Sequence, residues 1–345
     1  MAVVYLSAMD SITHIVLGAT IGELLAGRRL GKKAMLLGAL AQSLPDIDFI
    51  SSFWLDTSHD VLAHRGFTHS FLFVAMMAPL LALGARRKWR EVPFATRDWI
   101  LFFGLQLFVH IFLDAFNAYG TGWFEPFSHY RVSFQLLFVA DPFYSVWLAN
   151  SFIALLILKK DSAARKYWAR FGLIASTLYL CYCVTNKLRI DARVEHELEN
   201  RDLAYSRYFT NPTPLNDWLW YIVAENKSGY LVGYLSLFDR RRRIDFHYFP
   251  KNDSLLGPLR DSDDVRHLRR FSQGYYTVDK WEDGALVFND LRFGQMKGWE
   301  DPDARFVFHY FLQRSRDNAV IVQRGRFAGW NMATIRAFIR RVRGN

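Results

Sequence analysis

The sequence predicts a mainly α protein: a multi-pass transmembrane bundle of about five to six helices over residues 9–186, followed by a small extracytoplasmic α+β domain with antiparallel strands over residues 187–345. Three observations lead to this reading. The mean hydropathy is zero, yet the chain divides into an apolar half and a charged half near residue 186. Basic residues occupy every second loop of the apolar half. The charged half carries short runs in which apolar and polar residues alternate.

In the first half, six apolar runs lie near 12–27, 34–50, 70–85, 99–118, 143–158 and 170–186. Several are short for a hydrocarbon core of roughly 30 Å at about 1.5 Å per helical residue. The charge pattern supports them as spans. The loops after the first, third and fifth runs carry Arg28, Arg29, Lys32 and Lys33, then Arg86, Arg87, Lys88 and Arg90, then Lys159, Lys160, Arg165 and Lys166. The loops after the second and fourth carry only Arg65 and Arg131. Positively charged loops stay on the cytoplasmic side, so the expected location is the cytoplasmic (inner) membrane with both termini outside. Glu23 is expected to pair with Arg28 or Arg29. The segment MAVVYLSAMD lacks the basic start of a signal peptide, Met9 is a possible start, and residues 1–8 carry no argument.

The second half begins with a charged helical stalk around 184–209 and turns at NPTPLND. GYLVGYLSLFD, GALVFNDLRFG, ARFVFHYFLQ and NAVIVQRGRF read as antiparallel strands, with Glu282-Asp283-Gly284 as a hairpin turn. MATIRAFIRRVRGN reads as a short basic amphipathic helix.

Composition narrows the function. The net charge is +10, but Lys and Arg are scattered in small clusters that membrane topology explains, so no nucleic-acid partner is predicted. The only two cysteines, Cys181 and Cys183, exclude a multi-cysteine zinc site.

The chemistry lies in the apolar half. On the expected topology His14, Asp46 and Asp48 of LPDID, His64 and His69 of HRGFTHS, and the i, i+4 pair His110 and Asp114 all fall at the outer end of their segments. Ionisable groups at membrane depth are costly unless they face a cavity, pair together or bind an ion. Each residue alone has a bland reading as a cap, a loop residue or a structural hydrogen-bond partner, but together those readings need separate coincidences at one face. Imidazoles and carboxylates without thiolate suit zinc, manganese or ferrous iron. His14, Asp48, His69, His110 and Asp114 are the expected ligands of a divalent metal, zinc first, with Asp114 serving one ion or bridging two. Metal-assisted hydrolysis is the reaction class that follows. Asp46 or His64 is the expected proton carrier, His14 helps position a second ion or the water, and Arg131 or Arg65 is expected to stabilise anionic charge. His59 and His129 are weaker candidates.

MDSITH, LPDID, HRGFTHS and HIFLDAFNAYGTGWFEPFS resemble the YdjM/YbcI-type inner-membrane metal-dependent hydrolases, also described as LexA-binding membrane hydrolases. The resemblance is strong over residues 9–145 and looser through PTPLNDWLWYIVAENKSGYLVGYLSLFD. The order of His and Asp is also similar to that of zinc-dependent phospholipases C, which implies a helical core of that kind. On that likeness Asp48, His69, His110 and Asp114 hold one metal, and His14 with Asp114 a second. The expected function is a membrane-bound hydrolase acting at the outer face on a phosphoester or lipid-linked substrate, with the bilayer as its standing partner. The alternative is a non-enzymatic membrane scaffold with a structural metal, whereas a transporter would place its ligands at the midplane.

Overall fold

The computed structural model of the chain describes residues 4–240, 243–312, 327 and 330–344, with side chains from residue 11. The chain opens with a tight hairpin of α1 (Val4–Leu30) and α2 (Lys32–Ser43), turned at Gly31, whose φ of 60° a side chain would strain. Gly18, Gly22 and Ala26 recur every fourth residue and line one face of α1. A Cβ on Gly38 would lie 2.0 Å from the Gly18 carbonyl, and one on Gly22 2.2 Å from that of Ala34. The two backbones therefore touch, and only small residues permit it.

Pro45 ends α2 and starts a 3₁₀ segment, Pro45–Phe53. Helix α3 (Thr57–Ala63) and a 3₁₀ turn, Phe67–His69, lead into α4 (Phe71–Lys88), where the Ser70 hydroxyl accepts the Phe73 amide at 3.0 Å. Helix α5 (Thr96–Asp114) packs Trp99, Phe102, Phe103 and Leu107 against alanines of α1, α2 and α4. Helix α6 (Pro142–Ile157) is capped by Asp141, which accepts the Phe143 and Tyr144 amides at 2.8 and 3.1 Å. Helix α7 (Ala164–Asn200) runs unbroken for 37 residues across position 186 and so belongs to both halves.

Glu23 does not pair with Arg28 or Arg29. It is buried and held by Arg165 of α7 through two bonds of 2.8 and 2.6 Å. Arg165 reaches it because α7 packs beside α1, a neighbour that a local reading of charge does not reveal.

The expected bundle of five to six spans is overturned. Among the described residues only α5 is long and apolar enough to cross a membrane, and a second span exists only if Thr57–His69 and Phe71–Lys88, bent by 55°, are one broken segment. Helix α2 has 12 residues and α6 has 16, about 18 and 24 Å. Apolar runs of this length fit a buried core as well as a bilayer. The orientation of the termini rested on that span count and loses its support with it. The helical body nevertheless exposes many large apolar side chains, among them Leu36, Leu40, Met76, Leu80, Leu101 and Leu105.

The charged half is built on two antiparallel sheets. Strands β1 (Arg207–Pro212), β2 (Leu219–Glu225), β3 (Gly229–Ser236) and β4 (His247–Pro250) pair in chain order. After α8 (Asp263–Phe271), strands β5 (Tyr276–Lys280), β6 (Leu286–Gln295) and β7 (Phe306–Phe311) form the second sheet. The expected turn at Glu282-Asp283-Gly284 joins β5 to β6, where the Trp281 amide bonds the Ala285 carbonyl at 2.9 Å. Alternation along β2 explains its burial on both faces. Trp220, Ile222 and Ala224 pack on Ile190, Val194 and Leu198 of α7, while Tyr221 and Val223 face the core shared with the second sheet. The strand expected at NAVIVQRGRF lies outside the described residues apart from Phe327. Helix α9 (Met332–Val342) follows and is tied back by Arg341 to Asp239 at 2.8 Å.

The β-rich part meets the helical body beside HRGFTHS. Val61, Leu62 and Tyr119 join the core that contains Phe271 and Phe293, and the Tyr119 and Phe293 rings are 4.6 Å apart.

Candidate metal centre

Four elements deliver polar side chains to one buried point. Helix α1 brings His14, the 3₁₀ segment after Pro45 brings Asp46 and Asp48, the 3₁₀ turn brings His69, and the last turn of α5 brings His110 and Asp114. His14, His69 and His110 are fully buried, whereas Asp46 keeps about a fifth of its side chain exposed. The cluster thus opens on the Asp46 side.

One ligand atom from each of Asp46, His69, His110 and Asp114 falls within 4.8 Å of the others. His69 Nε2 is 3.1 Å from His110 Nε2, 3.1 Å from Asp114 Oδ2 and 3.7 Å from Asp46 Oδ1. His110 Nε2 is 3.5 Å from Asp46 Oδ1 and 3.4 Å from Asp114 Oδ2. The other oxygen of Asp114 meets His14 Nε2 at 3.0 Å and Arg65 Nη2 at 3.3 Å. One carboxylate therefore joins two groups of partners.

The surrounding bonds fix which nitrogens point inward. Thr68 Oγ1 donates to Asp48 Oδ2 at 3.2 Å and lies 3.0 Å from His69 Nδ1. That places the His69 proton on Nδ1 and turns the Nε2 lone pair toward Asp46, His110 and Asp114. Asp114 Oδ2 makes no well-directed hydrogen bond despite two imidazole nitrogens within 3.4 Å. Carboxylate oxygens and an imidazole lone pair facing a common centre fit a divalent cation.

Asp48 lies one step behind the converging atoms. Its Oδ1 is 3.2 Å from His64 Nδ1, and its Oδ2 accepts the Arg65 amide at 2.7 Å and stands 3.4 Å from His69 Nδ1. Burial pushes the Asp48 carboxyl up, but the neighbouring His64 and His69 rings and the Arg65 amide bond outweigh it and hold it below the usual range. For Asp46 burial is again the largest single influence, and His110 with the His69 hydrogen bond overrides it, leaving the group well below the usual range.

Arg65 has a φ of 56°, a left-handed conformation that a non-glycine residue keeps only when its surroundings impose it. Its amide is held by Asp48, its carbonyl accepts the Gly122 amide at 2.8 Å, and its guanidinium bonds Asn117 Oδ1 at 2.8 Å. Arg131 stands apart from the cluster. It donates to the carbonyls of Leu62 and His64, the former at 3.1 Å, and lies 5.5 Å from the Phe271 ring centre. Burial, together with the Arg292, Arg65 and Arg270 cations, pulls it down to about 9. His129 pairs with Glu125 at 2.9 Å on the surface, and His59 packs on His267 with ring centres 4.1 Å apart.

Three supporting residues escaped the sequence reading. Gln42 lies 3.3 Å from His14 Nδ1, Thr68 orients His69, and Asn117 holds Arg65. The signals were present: Gln42 is a lone amide in an apolar helix, Thr68 adjoins His69, and Asn117 stands three residues past Asp114.

Comparison with known proteins gives a consistent picture. The family model described as YdjM inner membrane protein matches residues 9–190. The uncharacterized protein YfhP of Bacillus subtilis (strain 168) is 26% identical over 300 residues, covering 83% of this chain and 87% of that protein. The inner membrane protein YbcI of Escherichia coli (strain K12) is 34% identical over 122 residues, 35% of this chain and 69% of its own length. No solved structure matches the chain.

Proposed function

Since the chain belongs to the YdjM inner membrane protein family, we propose that it is a membrane-associated, metal-dependent hydrolase acting on a phosphoester or lipid-linked substrate. The observation that carries this reading is the convergence of Asp46, His69, His110 and Asp114 within 4.8 Å. These four residues would hold the metal, and Asp114 with His14 would hold a second ion. When bound, a divalent ion supplies Lewis acidity and makes water a usable nucleophile near neutral pH.

The chain's own residues do the rest. Asp48 and Thr68 keep the His69 proton on Nδ1, so that Nε2 stays free to donate its lone pair. His64, half-buried and 3.2 Å from Asp48, is placed to carry a proton between the site and solvent. Arg65 offers fixed positive charge beside Asp114 for an anionic substrate group. Arg131 braces the turn that presents His64 and Arg65 through its two carbonyl bonds. The partly exposed Asp46 marks the side on which substrate enters. Exposed Ile47, Phe49, Phe53 and Phe67 lie in the segments that carry Asp46 and His69, and exposed Trp54 and Phe71 flank them, which supports a substrate with an apolar tail.

The test is hydrolysis of bis(p-nitrophenyl) phosphate and of a short-chain lipid phosphate by the full chain in detergent, loaded with zinc or manganese. The expected result is metal-dependent turnover that chelation abolishes and His110→Ala removes. Turnover unaffected by chelation or by H110A would contradict the proposal. A metal-loaded protein that hydrolyses neither substrate would favour the scaffold with a structural metal.

A further inference from the structure

The opposite end of the helical body carries a second built feature. Helix α5 separates Asp114 from its own N-terminus by about 28 Å. At that far end the C-termini of α1 and α4, the start of α2 and the α6–α7 connection come together. They form a basin of about 480 Å³ whose lining includes Arg29, Lys33, Arg87, Lys88, Arg90 and Lys160, with Glu91 as the only carboxylate. Among the described residues none of these six cations is in an ion pair. The helix dipole accounts for cations at the ends of α1 and α4, but it disfavours Lys33 at the start of α2 and says nothing of Arg90 or Lys160. These exposed side chains give the basin a positive potential that attracts an anion.

An apolar groove of about 510 Å³ adjoins this basin, and Arg29 lines both. Leu24, Leu25, Leu101 and Leu105 face the groove and are exposed. Arg29 stands at the junction, donating to the Pro93 carbonyl at 3.1 Å with its guanidinium 4.6 Å from the Phe94 ring centre. Asp98 in the groove is committed to the Ala95 amide at 2.8 Å. A concentrated cation cluster joined to a leucine-lined channel matches a molecule with an anionic head and a hydrocarbon tail, whereas a soluble anion leaves the channel unfilled.

We propose that the basin and groove together form a binding site for an anionic phospholipid, the phosphate among Arg29, Lys33, Arg87 and Arg90 and an acyl chain between α1 and α5. The site is remote from the His/Asp cluster and independent of its chemistry. Family membership supplies the membrane in which such lipids are at hand.

The test is native mass spectrometry of the full-length protein in a nonionic detergent, titrated with dioleoyl phosphatidylglycerol, dioleoyl phosphatidylcholine or glycerol 1-phosphate. One phosphatidylglycerol per chain should be retained, with both comparison compounds at least tenfold weaker. The triple variant K33E/R87E/R90E should weaken phosphatidylglycerol at least tenfold, and Leu101→Asp should do so through the groove alone. The single variant R90E guards against misfolding of the triple and should weaken binding severalfold with the helical circular dichroism unchanged. Equal retention of the two lipids, binding untouched by R90E and the triple variant, or glycerol 1-phosphate binding as well as the lipid would each overturn the proposal.

Discussion

Asp114→Asn probes the cluster with little change in shape. The substitution keeps the volume of the side chain but removes the charge that faces Arg65 at 3.3 Å and the three imidazoles within 3.4 Å. In metal-free protein it removes the Asp114 carboxylate from buried Arg65, which keeps its bond to Asn117, a loss of at most about 3–5 kcal/mol for a broken buried pair. A metal that binds only the folded state adds about 2.7 kcal/mol at a hundredfold excess over its Kd, roughly 4 °C in Tm for a chain of this size. The neutral amide of the variant cannot supply the anionic oxygen shared between the two groups of partners, so D114N should lose nearly all of that increment. The assay is thermal unfolding followed by tryptophan fluorescence in detergent, with chelator and with excess zinc or manganese. Wild type should gain several degrees on metal addition and D114N less than one. A variant that gains as much as wild type would refute the ligand role of Asp114. An equal loss of stability with and without metal would reduce the carboxylate to an ion-pair partner.

Two further outcomes test the fold that holds the cluster. A Cβ at Gly38 meets the Gly18 carbonyl at 2.0 Å, so Gly38→Val should separate α1 from α2 and cost at least about 1–3 kcal/mol. Gly84, with nothing within 4 Å of its added Cβ, should accept alanine with no loss, both measured by chemical denaturation. Asp217 is buried and raised to about 8, chiefly by burial and despite the 2.6 Å hydrogen bond from Asn186. Because the folded-state value is raised, its contribution is fully present below pH about 4 and is lost as the pH climbs through about 8. Asp217→Asn should therefore unfold at the same temperature as wild type below pH about 4 and become increasingly the more stable protein as the pH rises to about 8, with the full difference above it. Parallel curves across that range would contradict the burial argument.

The sequence made the site more legible than the fold. Imidazoles and carboxylates are expensive inside apolar helices, so His14, His110 and Asp114 stood out against their neighbours. What spacing could not convey was the order of Asp46 and Asp48 around the centre. Both lie in one 3₁₀ segment, and only the path of that backbone after Pro45 sends Asp46 toward His110 and Asp48 toward His64 and Thr68. The apolar runs misled because hydropathy records composition and not what covers a helix. Ala34, Gly38 and Ala41 of α2 are apolar because they press on α1 and α5, and a helix of 12 residues carries no span. Strands announced themselves by alternation in β3 and β6. The pairing of Glu23 with Arg165, 142 residues away, is written in no local pattern.

The claim on which the rest depends is that Asp46, His69, His110 and Asp114 form a metal centre. Inductively coupled plasma mass spectrometry of the full-length protein, purified without added chelator, addresses it directly. Wild type is expected to carry at least one zinc, manganese or iron per chain, and His69→Ala and His110→Ala to carry less than a tenth of that while remaining folded. Wild-type protein free of these metals and unable to take them up on dialysis, or folded variants with undiminished content, would contradict the account.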